Sequence, residues 1–269
     1  LRAGRPQQVI RLSGSSWLPL VAALLLTGVL AAFIAKAYLL AALAFAVTIA
    51  VLLRWTWTTG DTAVPALVDA GHDGAQVLRL PTQSASAHSP GWWGLAGWLL
   101  VDASLYGALV FAYFYLWLHA PEWPPAGHAL PGLTMPFAGL LLLAASSAAV
   151  ARAARSNAAG RPSRARSAIL AGALSMAVFL AMQVRLLAAH VEAPGAHAYA
   201  SLLHALVGYQ ALHGVVALLM AGYLWLRSRR GLVDAARSRD FRVVATFWHF
   251  TASLSAVGVV LVHLFPRWT

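Results

Sequence analysis

The chain has 269 residues, of which 60% are hydrophobic and only 10% charged, against about 25% charged in ordinary soluble domains. That balance excludes a water-soluble globular protein and points to an all-α integral membrane protein. The net charge of +11 comes from arginine, with Lys36 the single lysine; the arginines sit in short loops between apolar runs, not on one soluble basic face, which argues against a nucleic-acid-binding domain.

Residues 1–16 are polar and carry Arg2, Arg5 and Arg11. An apolar run follows over 17–34, then Ala35-Lys36-Ala37, then a second run over 38–53. A basic flank, an apolar run and an A-x-A tripeptide also describe a signal peptide. The first run is long for that role and a second follows at once, so residues 1–54 are predicted to form a tight two-helix transmembrane hairpin. Residues 55–94 hold Asp61, Asp69, Asp73, three prolines and scattered Gly, Ser and Thr. They are predicted to be a linker with little regular structure.

The third span is the stretch around which the chain is organised. From Leu95 to Leu118 it carries one charge, Asp102. A helix of that length reaches about 36 Å, enough to cross a hydrocarbon core of about 30 Å. A carboxylate at that depth costs several kcal/mol unless it is protonated, paired or hydrated, so it marks either function or a packed hydrogen bond. Four more spans are predicted over 136–154, 167–188, 200–226 and 243–264. Residues 95–269 then form a five-helix bundle, giving seven transmembrane helices arranged as two plus five.

The loop from Arg152 to Arg166 contains five arginines and that from Arg227 to Arg242 contains six, whereas 119–135 and 189–199 contain no Arg or Lys. The positive-inside rule places both basic loops, the linker and the N-terminus in the cytoplasm and the C-terminus outside. Gly91, Gly94, Gly97, Gly208, Gly214 and the run Ala144-Ala-Ser-Ser-Ala-Ala149 suit close helix packing. Eleven tryptophans near the ends of the runs suit interfacial belts. The absence of cysteine excludes disulfides, thiolate metal sites and iron–sulfur clusters.

Helix depth arranges the remaining polar residues. Gln210 and His213 fall near the middle of the sixth span. His249 falls in the inner third of the seventh, at the depth of Asp102; the two are placed to pair directly or through water, or each to satisfy only a neighbour's backbone or hydroxyl. His204 and His263 share a depth near the outer face. Two histidines on facing helices fit bis-His haem ligation, one alternative reading of the chain. No three-ligand metal cluster, phosphate-binding loop or nucleophile–base pattern is evident. Arg227, Arg229 and Arg230 crowd the inner end of the sixth span, where guanidinium groups can grip lipid phosphate.

These residues also carry a family resemblance. Ser89-Pro-Gly-Trp-Trp-Gly ahead of Asp102, with Phe111-Ala-Tyr-Phe-Tyr-Leu-Trp117 behind it, resembles the third helix of subunit III of haem–copper cytochrome c oxidases. That helix carries a buried carboxylate, usually Glu and in some branches Asp. Tyr199 to Gly214 resembles the family's sixth helix, with Leu212-His213 matching the Leu-His of its Gly-Phe-His-Gly-Leu-His pattern. Trp248-His249-Phe250 resembles the Trp-His-Phe that opens its last helix. Gln210 stands where the family often has His, and Ala252 where an Asp commonly follows. The opening Gln7-Gln8-Val-Ile-Arg-Leu-Ser, without an initial Met, resembles the join in oxidases whose subunits I and III are one chain.

The resemblance implies a non-catalytic subunit of a proton-pumping terminal oxidase in a bacterial inner membrane. Haem and copper are then expected in partner subunits I and II and none in this chain. It implies packing against subunit I, support of proton uptake, and bound phospholipid in a cleft between the first two helices and the other five. Asp102, His213, His249 and Gln210 become the buried polar residues of a proton path or structural network. Trp98, Arg227, Arg230 and Trp248 become the lipid contacts. A small transporter built around Asp102 is the other alternative, although broken helices and paired repeats are not evident.

Overall fold

The computed structural model describes residues 9, 15–59, 67–73, 76–81, 90–126, 130, 132–235 and 238–268. Most of the polar N-terminal segment with its proposed join, and Ser89, lie outside the described residues. The chain divides into two compact units, Leu1–Ser84 and Ala85–Thr269.

In the first unit, α1 (Leu18–Ile34) and α2 (Tyr38–Thr59) pack against each other as a tight hairpin. Pro19 occupies the first turn of α1, where its missing N–H is no loss. The connection is only Ala35–Ala37, with Lys36 at φ +57° and the Ala37 N–H donating to Ala32 O at 2.9 Å. Helix α2 continues past the predicted end at Leu53. Beyond it the linker is not featureless: β1 (Leu67–Asp73) and β2 (Gln76–Pro81) form an antiparallel hairpin. An irregularity between Asp69 and His72 accommodates Gly71 at φ +117°, a conformation that favours glycine. Asp69 and Arg79 lie opposite each other and form an exposed ion pair at 3.3 Å. The expectation of little regular structure is corrected here: the short apolar runs Leu67-Val68 and Val77-Leu78 with Leu80 pair as strands, which the turn-forming residues around them obscured.

The second unit comprises α3 (Pro90–His119), α4 (Thr134–Ala158), α5 (Pro162–His190), α6 (Ala198–Arg229) and α7 (Arg239–Val259). Helix α7 runs on into a π-helical turn (Val260–Leu264) and a 3-10 turn (Phe265–Arg267). Helix α4 packs on α5 and α7, and α6 packs on α3, α5 and α7. The α4–α5 approach is close at Gly172, where a Cβ would lie 2.9 Å from Val150. Asn157 Nδ2 donates to Asp234 O at 3.0 Å, which ties the two arginine-rich loops together at one end of the unit. Near that end the core contains Ile169, Met176, Leu224, Phe241 and Trp248; a second cluster gathers Tyr106, Tyr113, Tyr199, Leu203 and Leu261.

Six helices are long and apolar enough to cross a membrane, and α1 is apolar but shorter. Their side chains behave as hydrocarbon demands. The hydroxyls of Thr27, Thr48, Thr56, Ser104, Ser175 and Ser253 each donate to the carbonyl four residues back. The Nδ1 atoms of His119, His190, His204 and His213 make the same contact. Polar groups satisfied within their own helix are what a solvent without hydrogen-bonding partners requires. The chain is a multi-pass membrane protein with all-α spans.

Candidate functional site

Asp102 lies on the face of α3 that also carries Tyr106 and Tyr113, at helical spacings of four and seven. Opposite it, α6 presents Tyr209, Gln210 and His213. Asp102 is only 7% exposed, so its carboxyl group needs protein partners. It has two. Tyr209 Oη lies 2.5 Å from Oδ1 and 3.0 Å from the Asp102 carbonyl, and His213 Nε2 lies 2.7 Å from Oδ2.

The other imidazole nitrogen settles the proton count. His213 Nδ1 is 2.8 Å from Tyr209 O, and a carbonyl only accepts, so Nδ1 carries a hydrogen. Nε2 therefore either accepts from a neutral acid or donates to a carboxylate as imidazolium. In both states the Nε2···Oδ2 contact holds one proton and the pair has no net charge, which removes most of the cost of placing an acid here. The imidazole is stacked on Tyr209, with centroids 4.4 Å apart, and on Phe247 of α7 at 6.1 Å.

A second hydrogen-bonded group lies one turn along α3. Tyr106 Oη donates to Leu254 O at 3.0 Å and accepts from Gln210 Nε2 at 3.2 Å. Gln210 reaches it because residue 258 is glycine: a Cβ there would meet Gln210 Nε2 at 1.6 Å. One turn-pair further, Tyr113 Oη donates to Leu261 O at 2.8 Å, inside the π-helical turn, and accepts from Trp123 Nε1 at 3.0 Å.

Asp102 and His213 thus share one hydrogen-bonded group; Gln210 belongs to a neighbouring one through Tyr106, whose ring lies 5.5 Å from that of Tyr209, and His249 stands apart from both. Of the two readings of His249, a pair with Asp102 or a neighbour's hydroxyl, the second holds: His249 Nδ1 is 2.5 Å from Ser147 Oγ on α4. Counting along helices gives depth but not azimuth, and at about 100° per residue His249 faces α4 while its neighbours Phe247 and Trp248 face the core. The lipid reading of Trp248 is corrected. It is fully buried, with Nε1 donating to Ser146 Oγ at 2.8 Å, and that hydroxyl donates to Gly172 O at 3.0 Å. Arg227 turns inward, 6% exposed, and its Nε donates to Asp240 Oδ2 at 3.1 Å. Trp98 keeps an outward surface, 49% exposed, while its ring stacks on Phe247 at 5.7 Å. Arg230 is exposed at the end of α6. His263 lines a cavity of about 20 Å³ with Gln183, His190 and Tyr199, and His204 is not among its lining residues. That space suits a water molecule. Among the described residues no three His, Cys, Asp or Glu side chains are placed to hold a metal.

The residues that reading by depth missed are Tyr209, Tyr106, Tyr113 and Ser146. Their signal was present in the spacing: Asp102-Tyr106-Tyr113 and Tyr209-Gln210-His213 are polar faces on otherwise apolar helices.

Fold and site together define a multi-pass membrane protein with a charge-neutral acid–imidazole pair inside its helix bundle. No protein-family model matches the chain, and no curated protein matches it.

Proposed function

We propose that this chain is subunit III, or the subunit III part of a fused subunit I/III chain, of a proton-pumping haem–copper terminal oxidase. The observation that carries the reading is the Asp102–His213 contact, which joins residues 111 positions apart. The two come from separate segments that each resemble the same family, and they meet in one hydrogen bond. Phe247, next to the Trp-His-Phe segment, stacks on the same imidazole. Three short resemblances that converge on one cluster support common descent better than any of them alone.

On this reading seven spans cross a bacterial inner membrane as two plus five, with the N-terminus inside. The chain contributes no redox centre. Its neutral acid–imidazole pair fixes α3 against α6, and the protein packs against subunit I, beside which protons are taken up. Phospholipid contacts fall to outward groups such as Trp98 and Arg230.

The test is purification of the native complex through an affinity tag on this chain, in mild detergent. Haem and copper are expected in stoichiometric amount, carried by further subunits or by a subunit I part continuous with this chain. Isolation with no haem-bearing partner and no haem-bearing continuation of the chain refutes the proposal. A Soret band on the separated chain that disappears in His204→Ala or His263→Ala supports the cytochrome alternative instead.

A further inference from the structure

Among the described residues, His263 is the one histidine of the spans whose ring makes no hydrogen bond. Four others place Nδ1 on the carbonyl four residues back in their own helix, and His249 meets Ser147. His263 lies in the π-helical turn, where the Phe265 N–H reaches back five residues to Val260 O, and the wider turn alters the geometry that such a contact needs. The turn is held at two carbonyls: Tyr113 Oη donates to Leu261 O, and Arg267 donates to His263 O. The His263 residue stays inside, 5% exposed. A neutral imidazole has one N–H and one lone pair, and leaving both unused inside the bundle is costly.

Gln183 repeats the pattern on α5. It too is 5% exposed, and its amide makes no hydrogen bond with the described residues. Both side chains line the same cavity of about 20 Å³, together with His190, seven residues beyond Gln183 on the same face of α5, and Tyr199 of α6. His190 Nδ1 lies 3.2 Å from Leu186 O, so Nδ1 carries the hydrogen of the neutral ring and Nε2 is an acceptor. The lining thus mixes donors and acceptors. The Gln183 amide has both, His263 has one of each, and His190 offers a lone pair. A metal cation leaves the amide N–H groups unmet and an anion leaves the lone pairs unmet, whereas water gives two hydrogens and accepts two. The cavity has room for one such molecule.

We propose that this cavity is a binding site for a structural water, hydrogen-bonded to both Gln183 and His263, at the end of the unit opposite the arginine-rich loops. Helix α7 packs on α3, α4 and α6, but α5 is not among the elements packed closely on it or on its π-helical turn. The water supplies that missing link, joining α5 to the tail of α7 through two side chains. The site is independent of the oxidase reading and stands if no haem-bearing partner is found.

The test uses the full chain, with whatever subunits accompany it, in lipid nanodiscs. A structure that shows ordered solvent is expected to place one density peak within about 3 Å of both the Gln183 amide and a His263 ring nitrogen. An unfilled cavity, a direct Gln183–His263 bond, a peak on neither side chain, or a peak at the shorter distances of a metal ion overturns the proposal. The second reading is radiolytic footprinting, in which X-rays turn bound water into hydroxyl radicals that mark the side chains beside it. Tyr199 is expected to be marked, while Met176 and Trp248, as deeply buried but outside the cavity, are not. Equal marking of all three, or none at Tyr199, overturns the proposal. Gln183→Leu then keeps the bulk and removes the polar partner. If the amide holds water, this change is expected to lower the folded-to-unfolded ratio about fivefold to thirtyfold in mixed micelles and to erase the Tyr199 mark. A ratio unchanged or raised means a dry amide and refutes the site. Should Gln183→Leu fail to fold, the structure and the footprint of the natural sequence still decide the question.

Discussion

Replacing Asp102 tests whether the acid acts as a hydrogen-bonding hub or as a fixed charge. In Asp102→Asn the side-chain oxygen still accepts from Tyr209, and Nδ2–H donates to a neutral His213 whose Nδ1–H stays on Tyr209 O. Every bond of the site survives in neutral form, with one amide hydrogen left over. Exchanging an acid for an amide in such bonds is expected to cost about 1–2 kcal/mol. Asp102→Leu removes both acceptors. Tyr209 retains the Asp102 backbone carbonyl at 3.0 Å, but His213 Nε2 is orphaned. An orphaned buried acceptor costs about 1–3 kcal/mol and the lost tyrosine bond about 1–2, so about 2–5 kcal/mol in all is expected. The assay is reversible unfolding of the purified chain in mixed micelles, followed by tryptophan fluorescence and helical circular dichroism. The expected order of stability is wild type, then Asn, then Leu. An Asn variant as unstable as Leu means that the pair depends on ionic character, and a Leu variant as stable as wild type means that the network carries no stability; either result refutes the account given for this site.

In the assembled oxidase at matched haem content, Asp102→Asn is expected to leave initial turnover little changed but to shorten the time over which activity persists; identical decay curves, or immediate loss of turnover, contradict this. Gly258→Ala is expected to cost about 1–3 kcal/mol, because its Cβ occupies the place of Gln210 Nε2. Gln210→Ala on that background should recover part of the loss, and a double-mutant cycle in the same unfolding assay reads the coupling. Ser146→Ala leaves the buried Trp248 N–H without its acceptor and is expected to cost about 1–3 kcal/mol; unchanged stability would show that Trp248 is held by packing alone.

The helices were legible because hydrocarbon imposes a long, nearly charge-free signal, and α3 to α7 lie over the predicted spans with ends a few residues longer. The β-hairpin was not, since two strands of six or seven residues among Gly, Pro and Asp look like loop until their pairing is seen. Asp102 was visible as the one acid in a span, but its partner was chosen by depth. Depth put His249, not His213, level with Asp102, and a count of residues carries no azimuth. The same limit misplaced Trp248, whose single polar atom is used inward on Ser146, and Arg227, whose charge is used on Asp240.

The two tyrosine bonds from α3 to α7 have a consequence for how the chain threads the membrane. Tyr106 meets Leu254 and Tyr113 meets Leu261, so a step of seven along one helix matches a step of seven, in the same sense, along the other. Helices α3 and α7 therefore share a heading. Between two segments with one heading the chain must traverse the bilayer an odd number of times, which α4, α5 and α6 supply. Were any one of them to stop at the surface, α7 would run the opposite way and at most one tyrosine could find its carbonyl. The pair of bonds acts as a parity check on insertion, failing in chains where just one of the three intervening helices has not crossed.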